Sequence, residues 1–243
     1  MKAGHRSILL GVVQFVFNVC IYGLIMVGMI AHPASGLPPE WRPNAPLRVS
    51  QPVTPLTDFR LRKTVRDAEL CRSALLAHKV EARALPPLLA TDTCGIANRV
   101  SLSRLGLASL APVDTSCATA LRLAMWEAHS LQPNAQSLFG QDVVRIAHIG
   151  SYACRAIRSD RGSGTRPSSH SRAAAIDISG FTLADGQILD LKRDWNESGP
   201  KGTYLRKVHR EACRWFGLVL GPDYNRLHAD HFHLQNTGWP ICR

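Results

Sequence analysis

Two short segments gather the residues whose types could carry out chemistry. Residues 168–177 contain His170 and Asp177, and residues 228–233 contain three more histidines, so four of the chain's ten histidines fall here. Imidazole and carboxylate groups are zinc ligands, and a hydrolytic zinc site combines three protein ligands with an open position for water. This composition predicts a metal site; a pH-sensing histidine cluster or a polar surface is the alternative.

The spacing within these segments is that of strands. Side chains two positions apart on a strand share a face. If residues 174–179 form a strand, Asp177 lies on the face opposite to the isoleucines on either side of it. In the second segment His231 and His233 share a face, while the apolar residues beside them enter the core. Two strands can therefore present Asp177 and this histidine pair to one cleft, and His170 arrives from the preceding loop.

The elements that must position these residues are a mixture of helices and strands. Apolar residues at helical spacing predict helices over 67–80, 116–131 and 203–216, with Ser116 and Thr203 as N-terminal caps and Pro133 and Gly217 as stops. The strand-like segments are Val143–Ile149, Ala174–Ser179, Leu218–Leu220 and His231–Leu234. Since strict alternation of strand and helix is lacking, we expect an α+β fold, a small antiparallel sheet flanked by helices, rather than a doubly wound sheet.

The N-terminal part predicts a membrane segment followed by a spacer. The run Ile8–Ile30 has 23 residues and no charge, and about 20 suffice to cross a bilayer. Basic residues precede it and PASG at 33–36 is a poor cleavage site, so we expect an uncleaved anchor with the remainder exported; a cleaved signal peptide and a buried helix are the alternatives. The predicted organisation is an anchor over 1–30, a proline-rich linker over 31–60 and a folded domain over 61–243.

Cysteine usage agrees with export. Cys20 lies in the apolar run, and the other six lie beyond it. In an oxidising compartment six cysteines form three disulfides with fifteen possible connectivities. We expect pairing between neighbours in the sequence: Cys71–Cys94, Cys117–Cys154 and Cys213–Cys242. A zinc–cysteine site and free core cysteines are the alternatives, and no CxxC pair supports the former.

The motifs also resemble known families. The combination of His170…Asp177 with His228…His233 is similar to the zinc peptidases grouped around D-alanyl-D-alanine carboxypeptidases, vancomycin-resistance dipeptidases and the penicillin-insensitive murein endopeptidase. Over about 67–235 the chain resembles still more the bacterial extensin-like C-terminal domain family. The matching sequence motifs include Cys94-Gly95, Phe139-Gly140, Tyr152-Ala153-Cys154-Arg155, Asp194-Trp195 and Leu220-Gly221-Pro222.

The resemblance implies a role for each residue of the two segments. It implies a zinc-peptidase-like fold with zinc held by His170, Asp177 and His233. His231 becomes the catalytic base or polariser, where some relatives have Glu, and His228 helps to position the water. Arg155 resembles the arginine that other members use near the scissile carbonyl.

The chain departs from the relatives' pattern at one position and offers a rival carboxylate at another. Many relatives have Gly where this chain has Ala173. Asp230 competes with His231 for the role of base, or orients one of the histidines beside it.

Two classes of function follow. The first is a bacterial zinc-dependent peptidase, anchored in the inner membrane, whose periplasmic domain acts on peptidoglycan peptides or cross-links. The second is a non-catalytic module of the same fold that binds cell wall or scaffolds an envelope complex. The formal charge of +11 suits an anionic polymer. A nucleic-acid partner is disfavoured because the domain is expected to be exported.

Overall fold

The computed structural model describes residues 2–32, 34–159, 162–238 and 240–243. Pro33, part of the cleavage-site segment considered above, lies outside them. The helices are α1 Lys2–Ala31, α2 Thr57–Arg66, α3 Ala68–Leu76, α4 Cys117–Trp126, α5 Gln132–Phe139, α6 Leu191–Asp194 and α7 Pro200–Trp215. The strands are β1 Glu81–Ala84, β2 Leu88–Leu89, β3 Gly95–Ile96, β4 Arg99–Leu105, β5 Ala108–Ser116, β6 Val143–Gly150, β7 Ala156–Ser159, β8 Gly162–Pro167, β9 Ala175–Leu183, β10 Ile188–Asp190, β11 Leu218–Leu220, β12 Phe232–Gln235 and β13 Ile241–Cys242.

One sheet dominates the part of the chain that the structure describes. Its strand order is β1-β4-β5-β6-β9-β12-β11-β13, with β10 beside β9. The α+β expectation is confirmed, but the sheet is neither small nor wholly antiparallel, since it has nine strands and the pairs β5–β6 and β11–β13 are parallel. The sequence prediction did not include β1, β4 and β5, although in β4 the buried Val100 and Leu102 alternate with polar residues as in a half-buried strand.

The helices cover one face of this sheet. Ile176 and Ile178 of β9 are completely buried there. The ring of Trp126 on α4 lies 5.8 Å from that of Phe181, and its indole nitrogen donates to the carbonyl of Val208 on α7 at 3.0 Å. Burying large aromatic rings between helices and sheet is a major part of core stabilisation. The opposite face of β9 is therefore left to the polar residues.

The predicted helix after Ser116 exists but does not end as expected. The Ser116 hydroxyl accepts the Thr119 amide, as the predicted cap. A π-helical turn, Glu127–Leu131, follows α4, and α5 then begins with Pro133 in its first turn. In the π turn the Gln132 amide donates to the Glu127 carbonyl five residues back, so a wider turn precedes the proline, whose ring would clash in a regular α-helical turn. The prediction that Pro133 stops the helix was therefore wrong; the chain continues to Gly140, which has φ +63°.

Part of the proline-rich segment packs against the domain. Leu47 and Val49 are buried in the core, and His129 donates to the Val49 carbonyl at 2.7 Å. The buried guanidinium of Arg60 on α2 donates to carbonyls of this segment. Its acceptors are Glu40, Ala45 and Pro46. We call residues 40–56 the strap, because they are held by side chains of the domain rather than extended from it.

Helix α1 contains the apolar run. Its segment Leu10–Ile30 is long and apolar enough to cross a membrane, and none of its most apolar stretch is buried. An N-terminal signal sequence would have the same length and composition.

The six predicted cysteines do form three disulfides, but only one predicted pair is correct. Cys213–Cys242 joins α7 to β13 as expected. The other bonds are Cys71–Cys117 and Cys94–Cys154. Pairing by sequence proximity failed because α3 packs directly on α4, while the loop that contains Cys94 lies against the segment following β6. Tertiary contacts of this range leave no trace in cysteine spacing.

The bond between α3 and α4 provides a stability prediction. Cys71–Cys117 closes a separation of 46 residues, for which the chain-entropy model gives about 4 kcal/mol. We therefore expect Cys71→Ala/Cys117→Ala to lower the free energy of unfolding by about that amount in chemical denaturation of the detergent-solubilised chain. Cys20→Ala, which removes the free and exposed cysteine, is the matched control. A double variant as stable as this control would contradict the assignment.

Candidate metal centre

Strands β9 and β12 bring Asp177 and His233 together. The two strands pair antiparallel, and these two residues lie directly opposite each other in the register. The neighbouring pairs, Phe232 with Ile178 and Leu234 with Ile176, are completely buried on the helix-covered face. The period of two along a strand then turns Asp177 and His233 to the open face, as the sequence predicted.

His170 reaches the same place from a short 3-10 turn, Ser169–Arg172. Ala173 ends this turn in the left-handed region, at φ 48° and ψ 34°. An L-residue is unfavourable there by about 1–2 kcal/mol, which explains physically why a glycine suits this position in the resembling proteins. Thr119 on α4 holds the strained residue by donating to its carbonyl at 2.8 Å.

The three side chains place their ligand atoms at the spacing of a metal site. His170 Nε2 lies 3.1 Å from His233 Nδ1 and 3.3 Å from Asp177 Oδ2, and His233 Nδ1 lies 2.9 Å from Asp177 Oδ1. Zinc holds such atoms at about 2.0–2.1 Å, so neighbouring ligand atoms of a tetrahedral site are about 3.3 Å apart. Among the described residues these three form the group of histidine, cysteine and acidic side chains able to hold a metal ion.

The remaining nitrogens of both histidines also have partners. His170 Nδ1 donates to the Ser151 carbonyl at 2.9 Å, and His233 Nε2 donates to Gln235 Oε1 at 3.3 Å. Such bonds fix the tautomer and direct the unprotonated nitrogen towards a metal. The donor set, two oriented imidazoles and one carboxylate, fits zinc.

The Asp177 carboxyl is held in its charged form. In the metal-free cluster, burial by itself raises its pKa, but the hydrogen bonds and charge of the facing His170 and His233 nitrogens, whose place a metal ion would take, outweigh burial and hold the pKa well below the usual range. The carboxylate is therefore ionised, as a ligand must be, throughout the neutral range.

His231 lies beside the three rather than among them. Its Nε2 is 3.7 Å from Asp177 Oδ1, while its Nδ1 is 2.8 Å from Asp230 Oδ1. The ring of His228 is 5.3 Å from that of His231, and its Nδ1 contacts Asn225 Oδ1 at 2.7 Å. Both histidines thus border the cluster at hydrogen-bonded positions, with one imidazole nitrogen of each oriented by a neighbouring oxygen.

Arg155 occupies the rim rather than the cluster. Its guanidinium donates to the carbonyl of Ala156 at 3.3 Å, and in the described part of the chain no hydrogen bond joins it to the three ligand side chains. Its backbone nevertheless borders the site, since the Arg155 carbonyl accepts the Ser168 amide and the preceding Cys154 is bonded to Cys94. Contact between Arg155 and a substrate stays a prediction.

The structure thus brings together the predicted His170, Asp177 and His233, with His231 and His228 alongside. Sequence reasoning missed Gln235 and Ser151. Gln235 is two residues beyond His233 on the same strand, so alternation could have identified it. Ser151 acts through its backbone carbonyl, for which side-chain identity carries no signal.

Comparison with known proteins identifies one family. The family described as Extensin-like protein C-terminus matches residues 69–243, a range that includes every residue of the cluster. Comparisons with curated proteins and with solved structures give no significant match.

Proposed function

The chain belongs to the Extensin-like protein C-terminus family, and from this membership and the cluster geometry we propose that it is a zinc-dependent peptidase acting on peptidoglycan peptides or cross-links. We further propose that α1 stays in the mature protein as an inner-membrane anchor and that the domain lies in the periplasm. The three disulfides suit an oxidising compartment.

The observation that carries the proposal is the convergence of ligand atoms from three side chains, with a further hydrogen-bonded histidine, His231, beside them. A purely structural zinc site is usually closed by four protein ligands, whereas a catalytic one keeps a position for water. Here three side chains converge, and the fourth, His231, points its Nε2 towards them from 3.7 Å. The side chains of Asp177, His231 and His233 retain 11–14% exposure, so the cluster is open to solvent on one side.

Zinc bound by His170, Asp177 and His233 would supply a Lewis acid and lower the pKa of a water to about 7. His231 would then take up a proton at Nε2, because Asp230 holds its Nδ1. Arg155, by leaving the Ala156 carbonyl, would donate to the oxygen of the scissile carbonyl as negative charge develops there. Arg155 thus assists by charge and His231 by proton transfer, two separate contributions.

The choice of peptidoglycan rests on charge and placement. The chain has a formal charge of +11, which attracts an anionic polymer. A domain exported next to the inner membrane meets the cell wall rather than nucleic acid. A wall-binding module of the same fold would share this charge, but it would not need the solvent-open side of the cluster.

A chelator experiment tests the activity. We expect the purified full-length protein to cleave muropeptides, to lose this activity in a chelator, and to regain it when zinc is restored, with products identified by mass spectrometry. The reason is that two imidazoles and a carboxylate hold the ion reversibly. Binding of muropeptides without cleavage, unchanged by chelator, would instead favour the non-catalytic module.

A further inference from the structure

Helix α2 exposes an unusual face. Its buried side consists of Thr57, Arg60, Leu61 and Thr64. Its solvent side presents three cations and one aromatic ring, which are Phe59, Arg62, Lys63 and Arg66. Phe59 is 50% exposed. Half of this ring is thus open to solvent among the cations, and aromatic and basic side chains together suit the headgroup region of a membrane.

The strap adds a second exposed aromatic residue beside this helix. Trp41 is 47% exposed. Its position is fixed by its neighbour Glu40, whose carbonyl accepts from Arg60 at 3.3 Å and from Thr54 at 3.0 Å. Arg60 follows Phe59 in the first turn of α2 and is bonded to the Glu40 carbonyl. The start of the strap therefore lies beside this turn.

Chain length keeps this region near the end of α1. That helix ends at Ala31 and the strap begins at Glu40, so eight residues, 32–39, separate them. Fully extended, eight residues span about 30 Å at most. The domain therefore stays within about this distance of the end of α1. The strap does not lengthen the connection, because the bonds of Arg60 hold it against the domain.

Charge selects the occupant of the surface. Besides the buried Arg60, residues 31–66 contain five basic and two acidic residues. Anionic headgroups attract such a segment, within about a Debye length of 8–10 Å, and tryptophan prefers the headgroup level of a bilayer. An acidic polymer would attract the cations but would leave Trp41 and Phe59 without a role.

We propose that Trp41, Phe59, Arg62, Lys63 and Arg66, the docking face, lie on anionic phospholipids of the leaflet from which α1 emerges. The two rings enter the headgroup region and the three cations contact phosphates. The domain is then held against the membrane in one orientation instead of moving freely on a tether. This inference rests on the proposed retention of α1 and is independent of the metal chemistry.

Quenching of Trp41 tests the docking. We would place the full-length chain in nanodiscs that contain shallow brominated lipids, with and without phosphatidylglycerol. Trp126, Trp195 and Trp215 are buried, Trp239 lies outside the described residues, and a Trp41→Phe variant provides the background signal of these four. We expect stronger quenching in anionic discs and its loss at high salt. Since each cation near such a surface contributes about a fivefold change in population, R62Q/K63Q/R66Q should reduce the docked-to-undocked ratio about 100-fold.

A matched variant controls for net charge. R83Q/K192Q/R210Q removes three exposed cations elsewhere in the domain and should leave the quenching unchanged. The proposal is overturned if neutral and anionic discs give equal quenching, or if the two triple variants behave alike. Muropeptide cleavage measured on the same samples reports separately on the proposed peptidase.

Discussion

The variants His170→Ala and His233→Ala are expected to lose bound zinc and peptidase activity together. Each removes one of three ligands whose facing atoms lie within 3.3 Å of one another. Loss of a hydrogen bond behind a ligand already weakens metal binding about 10–100-fold. Loss of the ligand itself should therefore weaken metal binding by more than about 100-fold. Metal content by mass spectrometry, measured beside muropeptide cleavage, checks both effects.

His148→Ala is the matched control for these variants. His148 lies on β6, next to β9 in the sheet, and its Nε2 contacts the Ala111 carbonyl at 2.8 Å. It is half-buried and stands outside the cluster, so its removal should leave zinc content as in the parent. Ligand variants that retain zinc, with His148→Ala unchanged, would mean that the ion is bound elsewhere or not at all.

The part of this site built on strands was predictable from the sequence. Alternation assigned the faces of Asp177 and His233 because a period of two is a local property of the chain. The register that puts the two residues opposite each other is not local, but burying Ile176, Phe232 and Leu234 together leaves little choice.

The part built on irregular backbone was not predictable in the same way. The position of His170 depends on a left-handed Ala173, whose carbonyl accepts from the Thr119 hydroxyl 54 residues away from Ala173 in sequence. Propensity disfavours that conformation for alanine, and only the surrounding contacts impose it. Motif resemblance, rather than periodicity, placed His170 in the cluster.

The prediction of a free spacer over the proline-rich segment was also wrong in part, again because contacts distant in sequence fix the backbone. Seven prolines predict an extended spacer, and the strap is indeed without long helix or strand. Besides the burial of Leu47 and Val49, a buried cation holds it: Arg60 donates to three strap carbonyls that a backbone without regular structure leaves unpaired. In the sequence, nothing distinguishes Arg60 from the other basic residues of α2.

The roles of His231 and His233 can be separated by geometry. His233 Nδ1 is 2.9 Å from Asp177 Oδ1, whereas His231 Nε2 is 3.7 Å away. His233 also faces His170 directly, and its other nitrogen bonds Gln235. His231 is instead bonded to Asp230, whose carboxylate is more than half exposed. A carboxylate bonded to one imidazole nitrogen fixes which nitrogen carries the proton, which leaves Nε2 of His231 to accept one.

His231→Ala should therefore keep zinc and lose turnover by about 10²–10⁴-fold, the usual contribution of general acid–base catalysis. Asp230→Asn provides the graded comparison: it keeps an oxygen near His231 Nδ1 but removes the charge, so turnover should fall by less while zinc is retained. Metal content and the rate of muropeptide cleavage, measured across pH 5–9, separate the cases. Loss of zinc in His231→Ala with retention in His233→Ala would reverse the assignment of the two histidines. If His231→Ala and Asp230→Asn both cleave like the parent, the His231 imidazole transfers no proton and the catalytic proposal fails.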